Sequence, residues 1–184
     1  VEDGRFDLGF GNFLRAPKRE KRVAFSEPIF RSASRLVGSP ATARAFAGKL
    51  GQAVNLDNLC GARVAAMEGS QQQAFLDAIA GERELTVVAT TTKAGAFDTL
   101  RNGSADFALL PIRTGYALIS HDKSRRFGFV GPAVADHGLG DTVHIILPRQ
   151  KEALRRSLNQ AIADIRADGT GHRIMRRHFP VNLD

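Results

Sequence analysis

A single cysteine in 184 residues, Cys60, excludes an intramolecular disulfide and any cysteine metal cluster. Set between Leu59 and Gly61 beside an apolar run, that thiol reads as a small buried residue rather than a nucleophile. Tryptophan is absent, tyrosine occurs once, and the phenylalanines sit in apolar runs, so no base-stacking platform is evident. With no arginine-rich arm either, nucleic acid is not an expected partner. His121, His137, His144, His172 and His178 form no recognised ligand spacing, so no metal site is expected. No apolar run approaches the length of a membrane span. A Ser–His–Asp spacing and a phosphate-binding glycine loop are both missing, which leaves no enzyme assignment and no cofactor. Val1–Asp7 carries no signal-peptide pattern, and the expectation is that a leader was removed or the chain was cut upstream.

What remains is ordinary soluble globular composition, 43% hydrophobic and 24% charged, in a length that suits one domain or two small lobes. The net charge of +7 sets up a salt-sensitive field that favours anionic ligands or surfaces.

The segment 6–37 organises the chain. Apolar residues and glycines open it as a short buried strand. Ala16-Pro17-Lys18-Arg19 then forms a turn in which proline starts a helical turn and Arg19 follows just behind. An arginine fixed at the end of a strand–turn–helix unit suits a carboxylate, because its planar fork donates two parallel hydrogen bonds. The plain alternative is a solvated basic turn, since five of the eight residues from Arg15 to Arg22 are Lys or Arg. Val23 to Pro28 and Arg35 to Val37 read as extended chain.

Residues 38–58, rich in Gly and Ala, read as a linker with a short helix. Leu59 to Ser70 reads as turn, strand, glycine and helix cap. Ser70 begins a helix to about Ala80, with Ala74, Phe75, Ala78 and Ile79 at helical spacing. A helix N-terminus of this kind gathers unpaired N–H groups and binds carboxylates or phosphates, although a plain cap without a ligand is the other reading. Leu85–Thr90 is a β-branched strand, and Lys93–Arg101 a helix closed by Asn102-Gly103. A strand at 105–111, a helix at 112–120, a polar loop at 121–126 and strands at 127–132 and 142–148 follow. Helix 151–168 carries the apolar stripe Leu154, Leu158, Ala161, Ile162 and Ile165. A final basic helix ends at His178-Phe179.

Four of these stretches, in order, resemble bacterial periplasmic solute-binding proteins of the amino-acid type (family 3, type II periplasmic-binding fold). The first is Asp7, Asn12, Leu14, Ala16, Arg19, Val23, Phe25-Ser26 and Pro28. The second runs from Leu59 and Gly61 through Val64 to Gly69-Ser70-Gln71. The third is Leu100, Gly103 and Asp106. The fourth is Leu158-Asn159, Ala161-Ile162, Ile165 and Asp168-Gly169-Thr170.

The resemblance implies an α/β fold of two lobes, residues 1–37 with 133–184 forming lobe 1 and 38–132 lobe 2. Lobe 1 is expected to lack the family's opening strand–helix–strand segment, which would leave apolar area uncovered and favour a homodimer. It also implies a ligand set of Asn12, Leu14, Arg19, Gly69, Ser70, Gln71 and Pro111, with Arg19 on the ligand carboxylate and Arg113 and Thr114 nearby. Leu14 and Ala16 stand where the family has hydroxyl residues. Pro111 stands where its strand ends in an aspartate for the ligand ammonium. The resemblance makes Asn159, Asp168 and Gly169 packing and capping residues. The implied function is a non-enzymatic periplasmic component of an ABC-type uptake system. It would close on a small carboxylate or amino-acid-like solute and pass it to a membrane permease or a sensor. A sensory or regulatory domain, and a dehydratase-like enzyme on the same scaffold, are the alternatives.

Overall fold

The computed structural model describes residues 1–15 and 17–179; the side chains of Asn12, Pro17 and Lys18 and all of Ala16 lie outside the described residues. The chain divides into two units, Val1–Ser32 with the segment from Asp141 onward, and Ala33–Gly140. The boundaries expected at 37/38 and 132/133 fall within strands of the second unit.

Unit 1 is built on an antiparallel sheet. Its central strand carries β1 (Gly9–Leu14) on one side, and β2 (Ala24–Phe25) and β3 (Phe30–Ser32) on the other. That strand, Asp141–Leu147, buries Val143, Ile145 and Leu147, which alternate along one face as a half-covered sheet requires. A four-residue helix, α1 (Pro17–Glu20), follows β1.

The Phe25-Ser26-Glu27-Pro28 stretch has a mechanical reading. Pro28 has no N–H, so the ladder cannot run unbroken from β2 to β3. The Ser26 hydroxyl fills the gap, accepting the Ile145 N–H at 3.0 Å while the Ser26 N–H reaches the Ile145 carbonyl at 2.9 Å. The Glu27 N–H turns outward to Asn159 Oδ1 at 2.8 Å. His144 is buried beneath, with one ring nitrogen 2.7 Å from the Ser26 carbonyl and the other 2.8 Å from Thr142 Oγ1. It is a satisfied core residue.

Unit 2 begins with β4 (Ser34–Gly38) and α2 (Pro40–Leu50), then runs β5 (Arg63–Met67), α3 (Gln71–Arg83), β6 (Thr86–Thr90), α4 (Lys93–Arg101), β7 (Phe107–Pro111), α5 (Ile112–His121) and β8 (Gly128–Val134). The sheet order is β6-β5-β7-β4-β8. β6, β5 and β7 are parallel, and β4 is antiparallel to both its neighbours. Parallel strands need crossovers, which α3 and α4 supply. Period-2 alternation then splits the sheet's side chains between two cores. Val64, Ala66, Phe107 and Leu109 pack against α2 and α3, whereas Ala65, Ala108 and Leu110 pack against α4 and α5. β7 is buried along its whole length. In unit 1, the central strand named above is β9 (Asp141–Leu147), followed by α6 (Glu152–Ala167) and α7 (Thr170–His178).

Four expectations need correction. The linker at 38–58 contains the full 11-residue α2, capped by Ser39, whose hydroxyl accepts the Thr42 N–H at 3.0 Å, with Pro40 opening the helix. On α3 Gln72 and Leu76 are buried and Phe75 and Ile79 pack half-buried against the same core, whereas Ala74 and Ala78 are exposed. Along α6 only Ile162 is buried, and Ile165 is 43% exposed. Cys60 is exposed, because Leu59 takes the inward position and Gly61, at φ +64, turns the chain away.

Candidate functional site

In unit 2 the residues singled out from the sequence gather where β5 and β7 end, the edge at which open α/β sheets hold ligands. β5 stops at Met67, and Gly69, at φ +68, makes a turn that a Cβ would strain. Ser70 follows in extended conformation and caps α3, its hydroxyl accepting the Gln73 N–H at 3.1 Å. The Gln73 side chain reaches back to the Gly69 N–H at 2.7 Å, a reciprocal cap that fixes the first turn. The backbone N–H groups of Gln71 and Gln72 take no acceptor among the described residues, and the first turn has no acidic side chain. Two open donors at the positive end of a 13-residue helix suit an anion.

This end of the unit is pinned by a buried relay that the sequence did not reveal. Gln72, 5% exposed, donates from Nε2 to Ser34 Oγ at 2.8 Å. Ser34 donates in turn to the Leu139 carbonyl at 2.5 Å. A buried amide is tolerable only when bonded, so the relay locks α3 to the start of β4 and to the loop 135–140. Phe75 stacks on His137 of that loop, with ring centroids 5.6 Å apart. Pro111 lies directly opposite Ser34 in the β4–β7 register, buried and without a polar side chain. It begins α5, whose Ile112 N–H is taken by the Ala33 carbonyl at 2.9 Å. Arg113 and Thr114 are half-buried on that first turn, which also carries no acid. Neither Pro111 nor the first turn of α5 supplies a carboxylate at the end of β7.

In unit 1, Arg19 sits on α1, half-buried, and its Nη1 donates to the Leu14 carbonyl at 3.0 Å. Its own carbonyl closes the turn by accepting the Arg22 and Val23 N–H groups, both at 2.9 Å. The two arginines nearest it in sequence are paired, Arg15 with Glu20 and Arg22 with Glu2. No carboxylate pairs with Arg19 among the described residues. The Leu14 side chain is buried at 7% exposure, so this residue serves Arg19 through its carbonyl. Asn12 is placed by β1 alone. Asn159 holds the Glu27 N–H, Asp168 Oδ1 accepts the Thr170 N–H at 2.8 Å, and Gly169 takes the left-handed turn before α7. Among the described residues no group of His, Cys, Asp or Glu is arranged to hold a metal ion.

Comparison with known proteins bears on which family these features belong to. The lysine/arginine/ornithine-binding periplasmic protein of Escherichia coli K12 is 26% identical over 171 residues, covering 90% of this chain. The chain spans only 62% of that relative's length. An ancestral arginine-binding protein, solved with arginine bound, superposes with a TM-score of 0.80 at 20% identity, covering 97% of this chain and 74% of the other. The GluR0 ligand-binding core of Nostoc punctiforme, solved with L-glutamate, gives 0.77 at 21% identity, over 97% of this chain and 76% of that one. At such identities the structures speak for the fold alone, and they bear out the two-lobe α/β architecture read from the sequence. The model describing bacterial extracellular solute-binding proteins of family 3 matches residues 1–181, and the chain belongs to that family.

Proposed function

We propose that the chain is the ligand-binding core of a periplasmic solute-binding component, which captures a small carboxylate-bearing solute for a membrane permease. The observation that carries the reading is Arg19: a half-buried guanidinium fixed by backbone, with no carboxylate of its own among the described residues, between two arginines that each have one. The open N–H groups of Gln71 and Gln72 supply a second anion contact, in unit 2. The relatives' names favour amino acids as the solute class. Pro111 shifts that expectation towards an acid without a free α-amine, because a desolvated ammonium without a partner costs several kcal/mol, about 3–5. The glutamate-bound neighbour favours one second reading, a sensory domain that uses the same site.

The test is a thermal-shift screen of mono- and dicarboxylates against L-amino acids, followed by calorimetry on Arg19→Ala. Acids are expected to stabilise more than amino acids, and Arg19→Ala to weaken binding by about 2–5 kcal/mol. Stabilisation by neutral or basic amino acids alone, or equal affinity in the variant, overturns the assignment.

A further inference from the structure

A cavity lies in unit 2 at the opposite end of the sheet from Ser70 and Pro111, where β5 and β7 begin. It encloses about 590 Å³ and is lined by Arg44, Arg63, Arg125 and Arg126 against one carboxylate, Asp106. That carboxylate is spoken for. Arg63 holds it from Nη2 at 2.8 Å, from Nε at 3.1 Å and from its backbone N–H at 2.9 Å, and sends Nη1 to the Gly103 carbonyl at 2.8 Å. Arg44, Arg125 and Arg126 have no carboxylate within ion-pair distance among the described residues.

The wall that carries two of them is fixed rather than loose. Asp122, 7% exposed, accepts from Arg101 Nε at 3.1 Å and Nη2 at 3.0 Å, and also from the Ser124 hydroxyl. Its carbonyl takes the Arg125 N–H at 3.2 Å, and Arg125 is held at φ +51, a conformation uncommon for a residue with a Cβ. The Arg126 guanidinium lies 5.5 Å from the centroid of the Phe127 ring, which also lines the cavity. The opposite wall is the first turn of α2, Ser39 to Thr42, which contains no acidic side chain. Three arginines with no ion-pair partner among the described residues, and the positive end of an 11-residue helix, thus line one space.

We propose that this cavity is a second ligand site for a multiply charged oxyanion of the phosphate type, a phosphate or diphosphate group that is free or esterified. Guanidinium forks match phosphate oxygens bidentately, and a phosphate with two or more charges balances arginines that one carboxylate leaves in excess. The cavity shares no residue with the solute-contacting set, so the two ligands bind independently.

Inorganic diphosphate is the probe, titrated by calorimetry and by ³¹P NMR at low ionic strength. Arg44→Ala/Arg126→Ala should bind it at least tenfold more weakly. The charge-matched Arg156→Ala/Arg177→Ala pair, exposed on α6 and α7, should stay within twofold of the parent. Raising the salt from 20 to 200 mM should weaken binding several-fold (about a 10 Å screening length at 0.1 M). Vesicles of phosphatidylcholine with and without phosphatidic acid test the esterified source. Binding of the acidic vesicles alone, with the same dependence on Arg44 and Arg126, supports the site with a lipid phosphate as its ligand. Equal weakening in both double variants, or no binding of either probe, overturns the proposal.

Discussion

Ser34→Ala is the most informative single change in unit 2. The side chain is 0% exposed and loses one oxygen, so the space left behind is too small for a cavity term to matter. What is lost is the relay. The Gln72 amide loses its acceptor at 2.8 Å, and the Leu139 carbonyl its donor at 2.5 Å. Gln72 is 5% and Leu139 1% exposed, so water cannot readily replace either partner. Each of the two stranded groups costs about 1–2 kcal/mol, the lower part of the range for an unsatisfied buried partner, so the sum is about 2–4 kcal/mol. For a chain of this length that is a fall in Tm of roughly 4–16 °C. Urea unfolding followed by far-UV circular dichroism reads it directly. Gln72→Leu removes the donor instead, and the double variant Ser34→Ala/Gln72→Leu removes both polar partners at the centre of the relay. The double variant should therefore destabilise by less than the two single changes added together, by about 0.5–3 kcal/mol. A loss below about 0.5 kcal/mol in Ser34→Ala, or strict additivity, would refute the relay as the lock on this end of the unit.

Two further outcomes follow from the same unit. Burial pushes the Asp106 carboxyl up, but the hydrogen bonds from the Arg63 side chain and backbone outweigh that and hold it below its ordinary value. A lowered folded-state value contributes stability that is complete above the unfolded value, near pH 4, and lost as pH falls through the folded one. Tm should therefore drop below about pH 4, and Asp106→Asn should flatten that drop in calorimetric scans; an unchanged acid slope would count against the pair. Gly131 is at φ +65, and a Cβ there would meet the Val54 carbonyl at 3.0 Å and Asn55 Cα at 3.1 Å, so Gly131→Ala should cost about 1–3 kcal/mol. Gly81, inside α3 with nothing near its would-be Cβ, should behave oppositely, gaining about 0.5–1 kcal/mol as alanine, and the two melts compared side by side decide it.

The elements legible in the sequence are those whose signals are local. Ser70 and Thr92 precede apolar periods and cap α3 and α4 through their own hydroxyls. Asn102-Gly103 closes α4, with Gly103 at φ +75. β3 escapes a sequence reading because it is three residues long and owes its existence to β9, far away in the chain. α2 reads too short because none of its residues is fully buried, so an Ala- and Gly-rich run shows no stripe. The Ser39-Pro40 start signal is present all the same, and is the better guide. The relay is invisible for a different reason. Its three members are separated by 38 and 105 residues, and a glutamine at the second position of a helix looks like a surface residue until its bonded partner is known.

Arg19 shows the limit at its sharpest. Composition presents five basic residues between positions 15 and 22 as one solvated run, and periodicity cannot rank them. Three-dimensional pairing separates the three arginines. Arg15 reaches Glu20 across the turn and lies 5.9 Å from the Phe25 ring centroid, and Arg22 reaches Glu2 at the start of the chain. Each of these is a surface pair worth about 0–1 kcal/mol, which leaves the arginine concerned largely neutralised and without field for a ligand. Arg19 spends one of its donors on a neutral carbonyl at the end of β1, which aims the fork without cancelling its charge. Orientation by backbone and the absence of a carboxylate among the described residues are what an anion-gripping group needs together. Neither can be read from the order of residues, since the first depends on where the Leu14 carbonyl lies and the second on where two glutamates have gone.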